Sequence, residues 1–145
     1  MALTLPTQGG DEGTWGTELN DYVKGSGMAY LGEATVNLQN GDSKTTVYTV
    51  PTGKEAFIMA VLIHSPSGSL AGGRDFDIGS GANADTWMDN VDLSMMTAVT
   101  DYRYLFSMAV YTIEAAGAAF GIKPIEGATA NVTATMIVLG MEIDA

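Results

Sequence analysis

The chain has no cysteine and a single histidine. Without thiols there is no disulfide framework, no thiolate nucleophile and no cysteine zinc site, and metal ligation would fall to carboxylates. Basic residues are also scarce. Six Lys plus Arg stand against seventeen Asp plus Glu, for a formal net charge of -11 and a pI near 4.1. That sign is wrong for gripping phosphates or anionic headgroups, so neither nucleic acid nor a membrane surface is expected as a partner. Long apolar runs are missing too. The densest, Ala56 to Ile63 and Met136 to Met141, fall far short of the roughly 20 residues a helix needs to cross a bilayer. The opening MALTLPTQGGDEGTWG has neither the basic nor the apolar region of a secretory signal.

What is present suits one compact domain. The chain has 145 residues, 46% of them hydrophobic and only 16% charged, enough apolar material for a core with little charge to cover it. Its 18 glycines follow no fixed period, which excludes collagen, solenoid and propeller architectures and points to many tight turns. From Glu33 onward, period-2 alternation recurs between turn signals, the pattern of a sandwich or barrel. It predicts about eight strands, near 33–39, 45–50, 56–64, 72–78, 85–93, 102–113, 118–123 and 128–143. Asn40-Gly41-Asp42 is the sharpest hairpin signal, between Val36-Asn37-Leu38 and Thr45-Thr46-Val47. Glu114 to Ala119 is read as a loop. The expected fold is an all-β antiparallel sandwich, jelly-roll-like, over residues 32–145.

Residues 1–31 differ. Pro6 and a Gly9-Gly10 pair precede Trp15, Leu19, Tyr22 and Val23 on one helical stripe, and Gly25-Ser26-Gly27 ends it. This reads as an N-terminal arm with a short helix, too short to hold itself in water without something to pack on. The final strand carries a second signal. Up to Thr135 it alternates polar and apolar residues, but around Met136, Ile137, Val138, Leu139 and Met141 both faces are apolar. The same holds from Phe57 to Ile63. Two such strands on a small domain predict an oligomer interface at Met136, Val138, Leu139 and Met141.

Candidate chemistry is thin. Asp75 and Asp77 share a strand face, with Asp85, Asp89 and Asp92 close in sequence, but the spacing fails the EF-hand loop, and solvated acidic loops are the simpler reading. Gly41-Asp42-Ser43 resembles an esterase nucleophile block without the rest of that pattern, and His64 has no recognisable acid partner. Tyr102, Tyr104 and Phe106 line one face of a strand, where aromatic rings serve a core or an interface more often than a sugar platform. Nine methionines fit adaptable apolar contacts. No catalytic residue, metal or cofactor is expected.

Leu5-Pro6-Thr7-x-Gly9-x-x-x-Gly13-x-Trp15-Gly16-x-x-Leu19-Asn20 resembles an N-terminal block of tailed-bacteriophage virion structural proteins. Tyr48-Thr49-Val50-Pro51-Thr52-Gly53-Lys54, an apolar strand, and then Ser69-Leu70-Ala71-Gly72-Gly73 resemble small phage virion proteins with sandwich domains. The resemblance implies a particle component, commonly a symmetric oligomer, with the arm (Pro6, Trp15, Leu19, Tyr22, Val23) as its attachment element. The expected role is therefore a non-enzymatic homotrimer that docks on the major capsid protein or another virion protein as a decoration or cement subunit. Its expected location is the virion, assembled in the host cytoplasm. The alternatives are a tail fibre, baseplate or other tail-associated component, a carbohydrate-binding module using Tyr102 and Tyr104, and a small hydrolase around Asp75 and Asp77. Shaft repeats and a long coiled coil are absent from the sequence, which weighs against a fibre.

Overall fold

The computed structural model describes residues 29–106 and 113–145. The arm residues Pro6, Trp15, Leu19, Tyr22 and Val23, and with them the expected short helix, lie outside the described residues. Within them the chain forms strands β1 (Ala29–Asn37), β2 (Thr45–Thr49), β3 (Lys54–His64), β4 (Asp75–Gly79), β5 (Met88–Val91), β6 (Tyr102–Phe106), β7 (Ile113–Glu114), β8 (Ala119–Glu126) and β9 (Thr133–Asp144). One antiparallel sheet runs β1-β9-β3-β6, with β7 also pairing β3, and the other runs β2-β8-β4-β5. β6 pairs Ala60 to His64 while β7 pairs Ala56 and Phe57, so both lie along the same side of β3.

Most strands fall where the alternation places them, with shifted ends. β1 begins at Ala29 and not at 33, β5 is confined to Met88–Val91 within the expected 85–93, and β9 begins at Thr133 and not at 128. The Ala-rich segment is a turn, closed by the Ala118 amide donating to the Ala115 carbonyl at 2.9 Å. The Asn-Gly signal gives a real turn, with Gly41 at φ 82° and the Asp42 amide on the Gln39 carbonyl at 3.2 Å. Its arms do not form the expected hairpin. β1 pairs β9 and β2 pairs β8, so the turn carries the chain from one sheet to the other. Turn chemistry sets a local reversal, and which strands then pair is decided by burial of their apolar faces.

The inward residues of the two sheets form one cluster, including Val36, Ile58, Val61, Ile63, Met136 and Val138 from one and Phe76, Ile78, Phe120 and Ile122 from the other. This is a sandwich-like core. Trp87 bridges the layers: its ring meets Phe120 edge-on at 6.0 Å and its Nε1–H donates to the Ile58 carbonyl at 3.1 Å. That carbonyl sits where the β3–β9 register slips between Ile58 and Ala60, so a side-chain donor reaches β3 where the ladder is broken. Pro124 lies in β8 beyond the last β2 pair, Thr45↔Ile122. Its missing N–H therefore costs no bond to β2.

Candidate functional site

Alternation along β9 decides which side chains face outward. Met136 and Val138 are fully buried in the core, whereas Ile137 and Leu139 are half-buried and Met141 is exposed. The expected interface set is thereby divided. Met136 and Val138 are interior to the fold, out of reach of another molecule, and Leu139 and Met141 stand on the opposite face.

Antiparallel register extends that outer face across the sheet, because directly paired residues share a side. Ile137 lies between Glu33 of β1 and Leu62 of β3, and Leu62 faces Tyr104 of β6. In the next row Leu139 lies between Tyr30 and Ala60, and Ala60 faces Phe106. Further along, Phe57 lies between Met141 and Ile113. Tyr30 is 57% exposed, Phe106 53%, Ile113 53% and Tyr104 44%. The result is a contiguous apolar surface spanning the strands of one sheet. The other sheet turns Asp75 and Asp77 of β4 outward, opposite Glu126 and Lys123 of β8. The two outer surfaces thus differ in kind, one apolar and the other charged.

The remaining candidates do not converge. Among the described residues no group of three His, Cys, Asp or Glu side chains comes close enough to hold a metal ion. Asp77 accepts the Asn90 amide at 3.3 Å. Burial raises its pKa, the Asn90 amide works against that, and Asp75, Asp85 and Asp89 add like-charge repulsion. Asp92 is held low by its hydrogen bonds from Ser94, a local turn contact at 2.8 Å. His64 Nδ1 lies 2.9 Å from Ser65 Oγ, a bond between chain neighbours at a residue with φ 52°.

The buried Glu114 accepts from Thr86 Oγ1 at 3.0 Å, and Thr86 Oγ1 also accepts the Ser80 amide at 2.8 Å. These bonds tie β7 to the β4–β5 connection. Lys44 donates to the Gly81 carbonyl at 2.8 Å and to the Ala119 carbonyl. Desolvation lowers its pKa against the pull of Glu114. Tyr48 donates to Glu142 at 2.8 Å, and burial followed by that bond holds its hydroxyl well above the ordinary phenol range. Each of these groups fastens one part of the fold to another.

Tyr102, Tyr104 and Phe106 all point outward, as their spacing predicts, with Tyr104 and Phe106 centroids 5.9 Å apart and their planes inclined by 47°. Their cross-strand partners are His64, Leu62 and Ala60. Apolar neighbours under Tyr104 and Phe106 suit a protein contact better than a sugar platform, which needs hydrogen-bonding groups beside the rings. A hollow of about 230 Å³ beside Tyr102, lined in part by Asp92, Met95, Asp101 and Arg103, is smaller than the roughly 300 Å³ at which ligand pockets begin. Among the described residues no helix is long and apolar enough to cross a membrane.

No protein-family model matches the chain. No curated protein matches it either. Among solved structures, a chain from the acidic stable capsid structure of Helicobacter pylori bacteriophage KHP30 superposes with a TM-score of 0.47 at 11% identity, covering 81% of this chain and 99% of that one. Identity and superposition at that level establish neither a shared fold nor a shared role.

Proposed function

We propose that the chain is a non-enzymatic structural subunit of a tailed-bacteriophage particle, a homo-oligomer that docks on the capsid as a decoration or cement protein, with a trimer as the favoured assembly. The observation that carries this reading is the apolar outer face of the β1-β9-β3-β6 sheet. A subunit that works by contact needs a broad surface that sheds water, while an enzyme needs polar groups converging in a cleft. The phage assignment comes from the Leu5 to Asn20 block, and attachment falls to Pro6, Trp15, Leu19, Tyr22 and Val23.

We read the strand order as a jelly roll. With β6 and β7 taken as one edge strand, the antiparallel pairs nest: β1 with β9, β2 with β8, β3 with β6 and β7, and β4 with β5. That is one long two-stranded ribbon folded over on itself into two sheets, an architecture found in viral capsid domains among others. Fold analogy alone does not assign a role.

Cosedimentation with purified phage heads tests the reading. Wild-type chain should pellet with heads that lack it, and a Trp15→Ala/Leu19→Ala chain should stay folded and remain in the supernatant. Binding to isolated tails and not to heads would move the protein to the tail. Binding to neither, or misfolding of the double variant, would contradict the attachment role.

A further inference from the structure

We infer that the outer face of the β1-β9-β3-β6 sheet is a self-association surface whose occupant is a second copy of this chain. The inference deepens the proposed function and rests on it for its biological setting, while its physical basis is the distribution of charge and apolar area over the fold. Each copy carries a formal charge of -11, so two copies repel through most orientations. Asp75 and Asp77 lie on the outer side of the other sheet, which makes that surface a poor meeting place for like-charged molecules.

On the apolar face, Leu62, Tyr104, Ile137, Leu139, Phe106 and Met141 lie in adjacent paired rows, and the carboxylates of Glu33 and Glu55 stand at its margins, beside Ile137 and Ile143. Copies can approach through the middle of the face without bringing carboxylates together. The area is sufficient. Tyr30, Tyr104, Phe106, Ile113, Met141 and Ile143 are 37% to 57% exposed, and at about 150–250 Å² per large side chain they offer on the order of 600 Å² before the half-buried aliphatics are added, close to the roughly 800 Å² that each partner contributes to a standard interface. Exposed aromatics among half-buried aliphatics match the composition of interface centres.

Sedimentation of the full-length chain at micromolar concentration tests this, with and without substitutions on the face. The wild type should be oligomeric. Tyr104→Ser and Leu139→Asp should each weaken association by at least about tenfold, the loss expected for a residue near an interface centre. Far-UV circular dichroism should stay unchanged, and a Thr49→Asp control on β2 of the other sheet should associate like the wild type. Tyr104 is exposed enough for Tyr104→Ser to fold even if Leu139→Asp does not.

A wild-type monomer at tens of micromolar, or an oligomer indifferent to Tyr104→Ser, would overturn the inference and leave the face to the arm or to another virion protein. The particle assay separates the two readings. Oligomers that lose association with Tyr104→Ser but never bind phage particles support this inference and remove the proposed function. Monomers that bind particles remove this inference and the homo-oligomer in the proposed function, and leave the docking role standing.

Discussion

Trp87 links the two layers through a directed contact, its Nε1–H on the Ile58 carbonyl. In Trp87→Phe the edge-on packing against Phe120 would largely persist while that carbonyl loses its donor. Denaturant unfolding should show a loss of about 1–3 kcal/mol, the penalty for stranding a buried polar group. Asp77 offers a pH test. Burial raises its folded pKa above the ordinary carboxylate value, so the folded state resists its ionisation. Stability from this group is fully present below the unfolded pKa and is lost as pH rises through the folded one. Asp77→Asn keeps an oxygen for the Asn90 amide, so at neutral pH the variant should melt higher than the wild type. The advantage should vanish as pH falls below the ordinary carboxylate range, and equal melting temperatures at pH 7 would remove the effect. The carboxylates at 75, 77, 85, 89 and 92 are legible in the sequence as a group. Their convergence depends on backbone paths that spacing does not encode, and among the described residues no three acidic side chains come together at metal-binding distance.

The central strands show how far patterning reaches and where it stops. Two-sided apolar character marked β3 and β9 in the sequence, and the fold places them side by side in the middle of one sheet. A period-2 strand declares that it has two faces without saying which one is inward, because a one-residue shift exchanges them. Patterning alone therefore groups Met136 and Val138 with Leu139 and Met141, whereas the core takes the first pair. Neighbouring substitutions should therefore diverge. Val138→Asp places an unpaired charge in the core and should cost several kcal/mol, enough to unfold a small domain. Leu139→Asp should leave a folded but dissociated chain. Loss of folding in both, or in neither, by circular dichroism and thermal melting would show that the assigned faces are wrong. The Asn40-Gly41 turn was equally legible. Its role as a link between sheets was not, since the partners β1 and β9 are far apart in sequence, Ala29 pairing Gly140 and Asn37 pairing Thr133.

At the scale of the molecule, one acidic surface and one apolar surface make association depend on salt in a diagnostic direction. Ion-pair interfaces weaken as salt rises, whereas like-charged copies meeting through an uncharged face gain from screening of their mutual repulsion. Raising sodium chloride from about 0.05 to 0.5 M, which shortens the Debye length several-fold, should strengthen self-association measured by sedimentation, and weakening would point to ion pairs across the interface. An ion pair between Lys54 and Asp144, at 2.5 Å, clasps the ends of β3 and β9 at the surface. Exposed pairs of this kind add little to stability. The fold instead rests on a core shared by strands distant in sequence, and such non-local pairing predicts slow folding.

The proposed role as a structural subunit of a phage particle is tested most directly by cryo-electron microscopy of phage particles purified from the source of this sequence. Density for the two-sheet body is expected at symmetry-related positions on the head, with copies meeting through the β1-β9-β3-β6 face. Particles in which the chain occupies no position on head or tail would contradict it.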